Sequence, residues 1–213
     1  MACFICIVFV LGALPVLGHI ELPERARGGK IWAAQLAAET SSWHVGNTTE
    51  NFFSQLVDHN NSAAGTFKQR YYFDTSFWNG SASSPIFYYI GGEGALRGTP
   101  TGYVATLAQE FGAFIVALEH RWYGSSLPGD LRSTIALQTT PKVEQAIADL
   151  AAFQQWMTLQ LGTSSPWLAI GGSYPGALSA WYRESYPALA AAAWSSSGVV
   201  NAVFNYTNFD VQV

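Results

Sequence analysis

The stretch Ala113–Leu118 is apolar at every position, between Gly112 and the charged triplet Glu119-His120-Arg121. A strand with one wet face alternates apolar and polar residues. An uninterrupted run of this length instead reads as a strand buried on both faces, the condition of a parallel sheet covered by helices on each side. The neighbouring sequence supplies those helices. Before it, Tyr103-Val104, Leu107 and Phe111 recur at helical spacing and Gly112 stops them. After it, Thr140 reads as a cap and Pro141 as a first helical position, followed by Val143, Ile147, Leu150, Phe153, Met157 and Leu161 on one face up to Gly162. Strand-like runs at Pro85–Ile90, Trp167–Ile170 and Ala190–Trp194, and a helix from Pro175 through Tyr182, complete a β-α-β-α-β-α-β alternation, preceded by a strand-like run at Arg70–Phe73. The predicted class is α/β: a mainly parallel sheet wound with helices on both faces.

Within that alternation one turn carries chemistry. Gly171-Gly172-Ser173-Tyr174-Pro175-Gly176 lies between a predicted strand and a predicted helix. A serine on a sharp strand-to-helix turn has its hydroxyl pushed clear of the backbone, and small neighbours are needed because the turn leaves little room for Cβ atoms. The pattern resembles the nucleophile elbow of α/β-hydrolases. Its last glycine is replaced by Pro175, with Gly176 one place later, and proline is tolerated in the first turn of a helix. Ser173 is the candidate nucleophile, and Gly172 and Tyr174 are the candidate elbow partners.

Active groups of open α/β sheets gather at the carboxyl ends of strands. Those ends carry Gly91-Gly92-Glu93-Gly94, Glu119-His120-Arg121 and the Ser173 turn. A glycine-rich loop suits an oxyanion site because bare backbone approaches the substrate closely. Gly92 and Glu93 are the candidate donors there, together with the N–H of Tyr174. A phosphate cradle would need a Walker lysine or a G-x-G-x-x-G spacing, and neither is present. His120 precedes Ser173 by two elements, whereas the base of an α/β-hydrolase follows its serine. His120 is therefore read with Glu119 and Arg121 as structural support, fixing the following loop through hydrogen bonds and an ion pair. After Ser173 the sequence has Asp210 and no histidine.

Composition narrows the partners. Ten Lys and Arg against fourteen Asp and Glu leave no basic stripe for nucleic acid. Residues 2–18 are apolar throughout and end in Val16-Leu17-Gly18, which reads as a secretory signal peptide, with residues 19–46 as a leader or surface arm. Both cysteines, Cys3 and Cys6, fall inside that signal, so the mature chain is expected to have no disulfide or thiolate metal site. No metal or cofactor is expected, and no membrane association after signal cleavage. Sequons at Asn47, Asn60, Asn79 and Asn205 agree with a secreted or vesicular glycoprotein.

Several separate motifs occur in one order: Phe53-x-Gln55-x-x-Asp58-His59, Gln69-Arg70-Tyr71, Gly91-Gly92-Glu93-Gly94, Glu119-His120-Arg121-Trp122-Tyr123-Gly124-x-Ser126-Leu127-Pro128 and Gly171–Gly176. Together they resemble the prolyl carboxypeptidase and dipeptidyl-peptidase II family of serine peptidases, the S28 family, from about Asn51 to Asn201. The resemblance implies an α/β-hydrolase peptidase, secreted or lysosomal, that cleaves peptide substrates after proline or similar small residues near a chain end. It implies Ser173 as nucleophile, with Tyr174 and the Gly92-Glu93 loop at the oxyanion site.

Two departures accompany it. Ser196-Ser197-Gly198-Val199-Val200 stands where the family has Ser-Ala-Pro. The family also continues with a helical insertion and with strands bearing the triad aspartate and histidine. The expectation is thus an amino-terminal portion, residues 47–213, with an unfinished sheet and little activity alone. Two other readings stand beside it: a non-catalytic truncated secreted glycoprotein, and a secreted α/β-hydrolase acting on esters. The direction of exopeptidase action is open, and so is a homodimer.

Overall fold

The computed structural model describes residues 7–9, 46–130, 132–134, 140–205 and 207. Most of the segments read as signal and leader arm, with Cys3, Cys6 and His44, therefore lie outside the described residues, as does Asp210.

Seven strands form one sheet: β1 (Ile7–Phe9), β2 (Asn51–Leu56), β3 (Thr66–Asp74), β4 (Ile86–Ile90), β5 (Phe114–Leu118), β6 (Trp167–Gly172) and β7 (Ala190–Ser196). Their spatial order is β1-β7-β6-β4-β5-β3-β2. The centre is parallel: β5 pairs β4, β4 pairs β6, and β6 pairs β7. At one margin β3 runs antiparallel to β5, and β2 antiparallel to β3. At the other, the backbone of Ile7–Phe9 lies antiparallel along β7. Three helices make the crossovers: α1 (Tyr103–Phe111), α2 (Val143–Leu161) and α3 (Tyr174–Ser185). This is the predicted α/β class, with the mixed sheet and strand–turn–helix unit of an α/β-hydrolase.

Both faces are covered, as the Ala113–Leu118 run requires. On one, Ile86, Tyr88, Phe114, Val116 and Trp167 pack under α2 and α3 through Leu150, Phe153, Met157, Leu178 and Tyr182. On the other, Phe87, Ile115 and Ile170 meet Ala108, Leu107 and Phe111 of α1. Alternate residues of β4 and β5 serve opposite faces, which is why no polar position appears in either strand.

Two boundaries differ from the sequence reading. The second helix starts at Val143 rather than Pro141, because Lys142 is still extended (φ −108°, ψ 145°) and the Thr140 carbonyl turns to accept from Arg121 Nη1 at 3.3 Å. Asn51–Leu56 is a strand that alternation of apolar residues did not announce: Gln55, facing inward, is 1% exposed and pairs with Gln69 on β3.

Candidate active site

The serine turn follows from its small residues. Gly171 ends the buried part of β6, and a Cβ there would sit 2.0 Å from the Pro175 carbonyl oxygen. A Cβ on Gly176 would lie 2.8 Å from the Ser196 carbonyl oxygen and 3.1 Å from Gly198 Cα. The chain therefore folds back on itself at a separation only glycine allows. Gly172 has more room, with Ser196 O the nearest atom at 3.8 Å. Between these glycines Ser173 adopts φ 60°, ψ −127°, a conformation that side chains rarely occupy. The turn is anchored by Ser173 N–H donating to Ser196 O at 2.9 Å and Ala177 N–H donating to Ser173 O at 3.1 Å. The Ser173 side chain makes no capping hydrogen bond to α3, and the residue is exposed. Its hydroxyl stands in front of the helix N-terminus.

Tyr174 is the first residue of α3, and Pro175 follows in the same turn. The first N–H groups of a helix have no intrahelical acceptor, so the Tyr174 amide is available at the positive end of the helix dipole. Facing it is the loop after β4. Gly91 N–H is spent on Leu118 O at 2.9 Å, and the loop amides from Gly92 onward lie beyond the end of the ladder. Gly91 packs so tightly that a Cβ would lie 2.7 Å from Leu118 O, while one on Gly92 would lie 2.8 Å from Pro175 Cγ. The glycine pair is thus wedged between the end of β5 and the start of α3. Glu93 is exposed at the rim.

The three residues after β5 go to three destinations. Glu119, fully buried, binds Arg70 Nη2 at 2.5 Å, accepts from Leu96 N–H at 3.0 Å and Ser125 N–H at 2.9 Å, and accepts from the Ser126 hydroxyl at 2.6 Å. It ties the loop after β4 to the loop after β5. Arg121, also fully buried, makes a two-pronged pair with Asp149 of α2, Nε to Oδ2 at 2.6 Å and Nη2 to Oδ1 at 2.5 Å. His59 Nε2 reaches the same carboxylate, 2.7 Å from Oδ1. His120 enters no ion pair. Its Nδ1 is 2.6 Å from Arg121 O and its Nε2 is 3.0 Å from the Tyr174 hydroxyl. Burial lowers the His120 pKa below its usual value and pushes the Tyr174 phenol up to about 12. Of the three residues read together as structural support, Glu119 gathers the donors of the loops, Arg121 makes the ion pair, and His120 joins the Arg121 carbonyl to the Tyr174 hydroxyl.

The predicted groups Gly92, Ser173, Tyr174 and His120 meet on one rim, since β4, β5 and β6 are parallel and in register. Sequence reasoning gave no role to Asp149, Gln55, Gln69 or Gln145. Gln55 Nε2 donates to Gln69 Oε1 at 2.9 Å and to Asp149 O at 3.1 Å; Gln69 Nε2 donates to Glu119 O at 2.8 Å; Gln145 Nε2 donates to Asp58 Oδ1 at 2.8 Å. The available signal was Asp149 itself, four residues after Gln145, a carboxylate among the mostly apolar positions of the helix's inner side. Of the sequons, Asn60, Asn79 and Asn205 are exposed, whereas Asn47 is half-buried and its amide donates to Phe73 O at 2.9 Å. Among the described residues, no group of three or more His, Cys, Asp or Glu is placed to hold a metal ion.

Comparison with known proteins agrees with this geometry. The family model for serine carboxypeptidase S28 matches residues 55–213. The chain is 36% identical over 196 residues to the human lysosomal Pro-X carboxypeptidase, covering 88% of this chain and 37% of that protein. It is 38% identical over 156 residues to the mouse thymus-specific serine protease, covering 71% and 30%. The chain spans about a third of the length of these relatives. With the family model covering most of the chain and the serine on its strained turn, the protein belongs to the S28 family of serine peptidases.

Proposed function

We propose that the described residues are the nucleophile-bearing part of a serine exopeptidase that cleaves peptides after proline or a small residue near a chain terminus. The observation that carries this reading is Ser173 at φ 60°, ψ −127°, exposed between β6 and α3 in an S28 chain. In this reading Ser173 Oγ attacks the scissile carbonyl and its proton passes to a histidine. The negative oxygen of the tetrahedral intermediate is held by the N–H of Tyr174 and by an N–H of the Gly92-Glu93 loop, aided by the α3 dipole. Collapse expels the amine, which takes the proton from the histidine, and water then hydrolyses the acyl-serine.

The triad histidine and aspartate of this proposal belong to sequence outside these 213 residues. Supporting that assignment, no histidine follows Ser173, and the relatives are about three times as long. Without them a serine hydroxyl is a poor nucleophile, so the 213-residue chain alone is expected to be inactive. Residues 1–18 are proposed as a cleaved signal, whose removal takes β1 from the sheet edge beside β7, with 19–46 as an arm and 47–213 as peptidase domain. A lysosomal or extracellular destination is supported by that apolar segment, by the exposed sequons and by the lysosomal relative.

The test is fluorophosphonate labelling of the native secreted material, resolved by size, beside Ser173→Ala. The expected result is a labelled species well above 23.1 kDa that disappears in the variant. Native product no larger than 23.1 kDa and unlabelled would overturn the reading. Labelling with turnover of esters and none of prolyl peptides would move the activity to ester hydrolysis.

A further inference from the structure

His120 is a half-buried histidine in contact with the Tyr174 side chain that the proposed reaction does not use. Its two ring nitrogens have different partners. Nδ1 lies 2.6 Å from the Arg121 carbonyl oxygen, and a carbonyl only accepts, so Nδ1 carries the proton. Nε2 of the neutral ring is then a bare acceptor, and the Tyr174 hydroxyl, 3.0 Å away, donates to it. Burial favours the neutral imidazole and keeps the phenol protonated, which suits both assignments. The ring is also held edge-on by Tyr123 and Tyr174, with centroids 5.4 Å away in each case.

The route of this bridge matters. Tyr174 starts α3 next to β6, and His120 follows β5; β4 lies between those two strands. The bridge therefore crosses the end of β4 beside Gly91 and Gly92, the pair wedged between Leu118 O and Pro175. Its anchor is rigid, since Arg121 is fully buried and doubly bonded to Asp149.

We infer that the Tyr174–His120 hydrogen bond is a clasp that sets the spacing of the oxyanion site, holding the Tyr174 amide at a fixed distance from the amides of the Gly92-Glu93 loop. Both side chains are positioning residues: they act through the backbone N–H groups and touch no reacting atom. The inference rests on the proposed reading of Ser173 and Tyr174, and it adds a specific donor, acceptor and tautomer. An oxyanion site binds the transition state better than the substrate, so a loosened clasp slows the chemical step and leaves ground-state binding alone.

The experiment uses the full-length secreted enzyme with Tyr174→Phe, His120→Leu, the double variant and His120→Gln, whose amide oxygen can still accept from Tyr174. Expected is a fall in kcat of about tenfold to a hundredfold for each of Tyr174→Phe and His120→Leu, with KM moving by less than about twofold. The rate of fluorophosphonate capture should drop in parallel, because the phosphoryl oxygen occupies the oxyanion position. The double variant should be no slower than the slower single, and His120→Gln should recover most of the loss. Nitrogen NMR of the wild type should show His120 with its proton on Nδ1. A rise in KM at unchanged kcat, additive losses, no effect, or a proton on Nε2 would each overturn the clasp. If His120→Leu does not fold, Tyr174→Phe, which removes a single oxygen, decides alone. Loss of labelling in Ser173→Ala with unaffected clasp variants would sink this inference while leaving the proposed function standing. An unlabelled wild type would sink both.

Discussion

Glycine positions within the serine turn are not equivalent, although the sequence presents them as one motif. Gly171 faces the Pro175 carbonyl at a distance no Cβ tolerates, while Gly172 has ordinary space. Gly171→Ala is therefore expected to cost about 1–3 kcal/mol or more, and Gly172→Ala well under half of that, measured by urea unfolding of the secreted enzyme. Equal losses at the two sites would show that the fold-back at Pro175 is not the constraint. The serine, its small neighbours and the glycine loop after β4 were legible in the sequence, because their residue types follow from backbone geometry alone. The destinations of Glu119, His120 and Arg121 were not. Three adjacent polar residues at a strand end look like one cluster, and only the arrangement of β3, α2 and α3 around them determines that they separate. The same holds for Gly198, which lies against Gly176: a Cβ on it would lie 2.2 Å from Ser195 Oγ and 2.9 Å from the Gly176 carbonyl carbon.

At the level of elements, the central strands and crossover helices were legible because burial on both faces leaves a continuous apolar signature in β5 and a helical period in α2. β2 was not, since its inward position is filled by Gln55 rather than by an apolar residue. Beside the aromatic packing of Phe53, Tyr71, Phe153 and Trp156, a polar set joins β2, β3, the turn after β5 and α2: Gln55, Gln69, Arg121 and Asp149 bond to one another in the interior. Asp149→Asn would leave the fully buried Arg121 guanidinium without its charge partner, at an expected cost of about 3–5 kcal/mol. Replacing both at once, Arg121→Met with Asp149→Leu, should recover much of that loss, which a urea titration of the single and double variants would check. His120 links the element scale to acidity. Its folded pKa lies below the unfolded value because burial opposes its charging, an effect that outweighs the Arg121 carbonyl bond and the attraction of Asp149 and Glu93, with Arg121 opposing as well. Such a group contributes stability that is present above the unfolded histidine pKa near 6.5 and lost as pH falls through the lower folded value. The wild type should therefore lose more stability than His120→Gln as the pH falls below about 6.5, read as the difference between their unfolding curves.

On the scale of the whole molecule, a parallel sheet brings three loops from distant parts of the sequence to one edge; two buried carboxylates brace the loops after β4 and β5, and the glycine fold-back shapes the turn after β6. Glu119 serves the loops after β4 and β5, and the Asp149 carboxylate serves Gln69 on β3, His59 after β2 and Arg121 in the turn after β5. The loops after β4 and β5 take their shape from partners on other elements as well as from their own residues, so motifs spread from Gln55 to Gly176 accompany a single serine. The strand order has a further implication for how the protein is made. As the chain leaves the ribosome, Arg121 emerges 28 residues before Asp149, and β4 emerges before both of the strands that flank it. Until Asp149 has emerged the guanidinium lacks its acid partner, and until β6 follows, β4 is paired on one side alone. Synthesis slowed between Arg121 and Asp149 would prolong the interval in which apolar β4 and β5 are uncovered, so that segment is where a nascent chain of this protein most needs a chaperone's shelter.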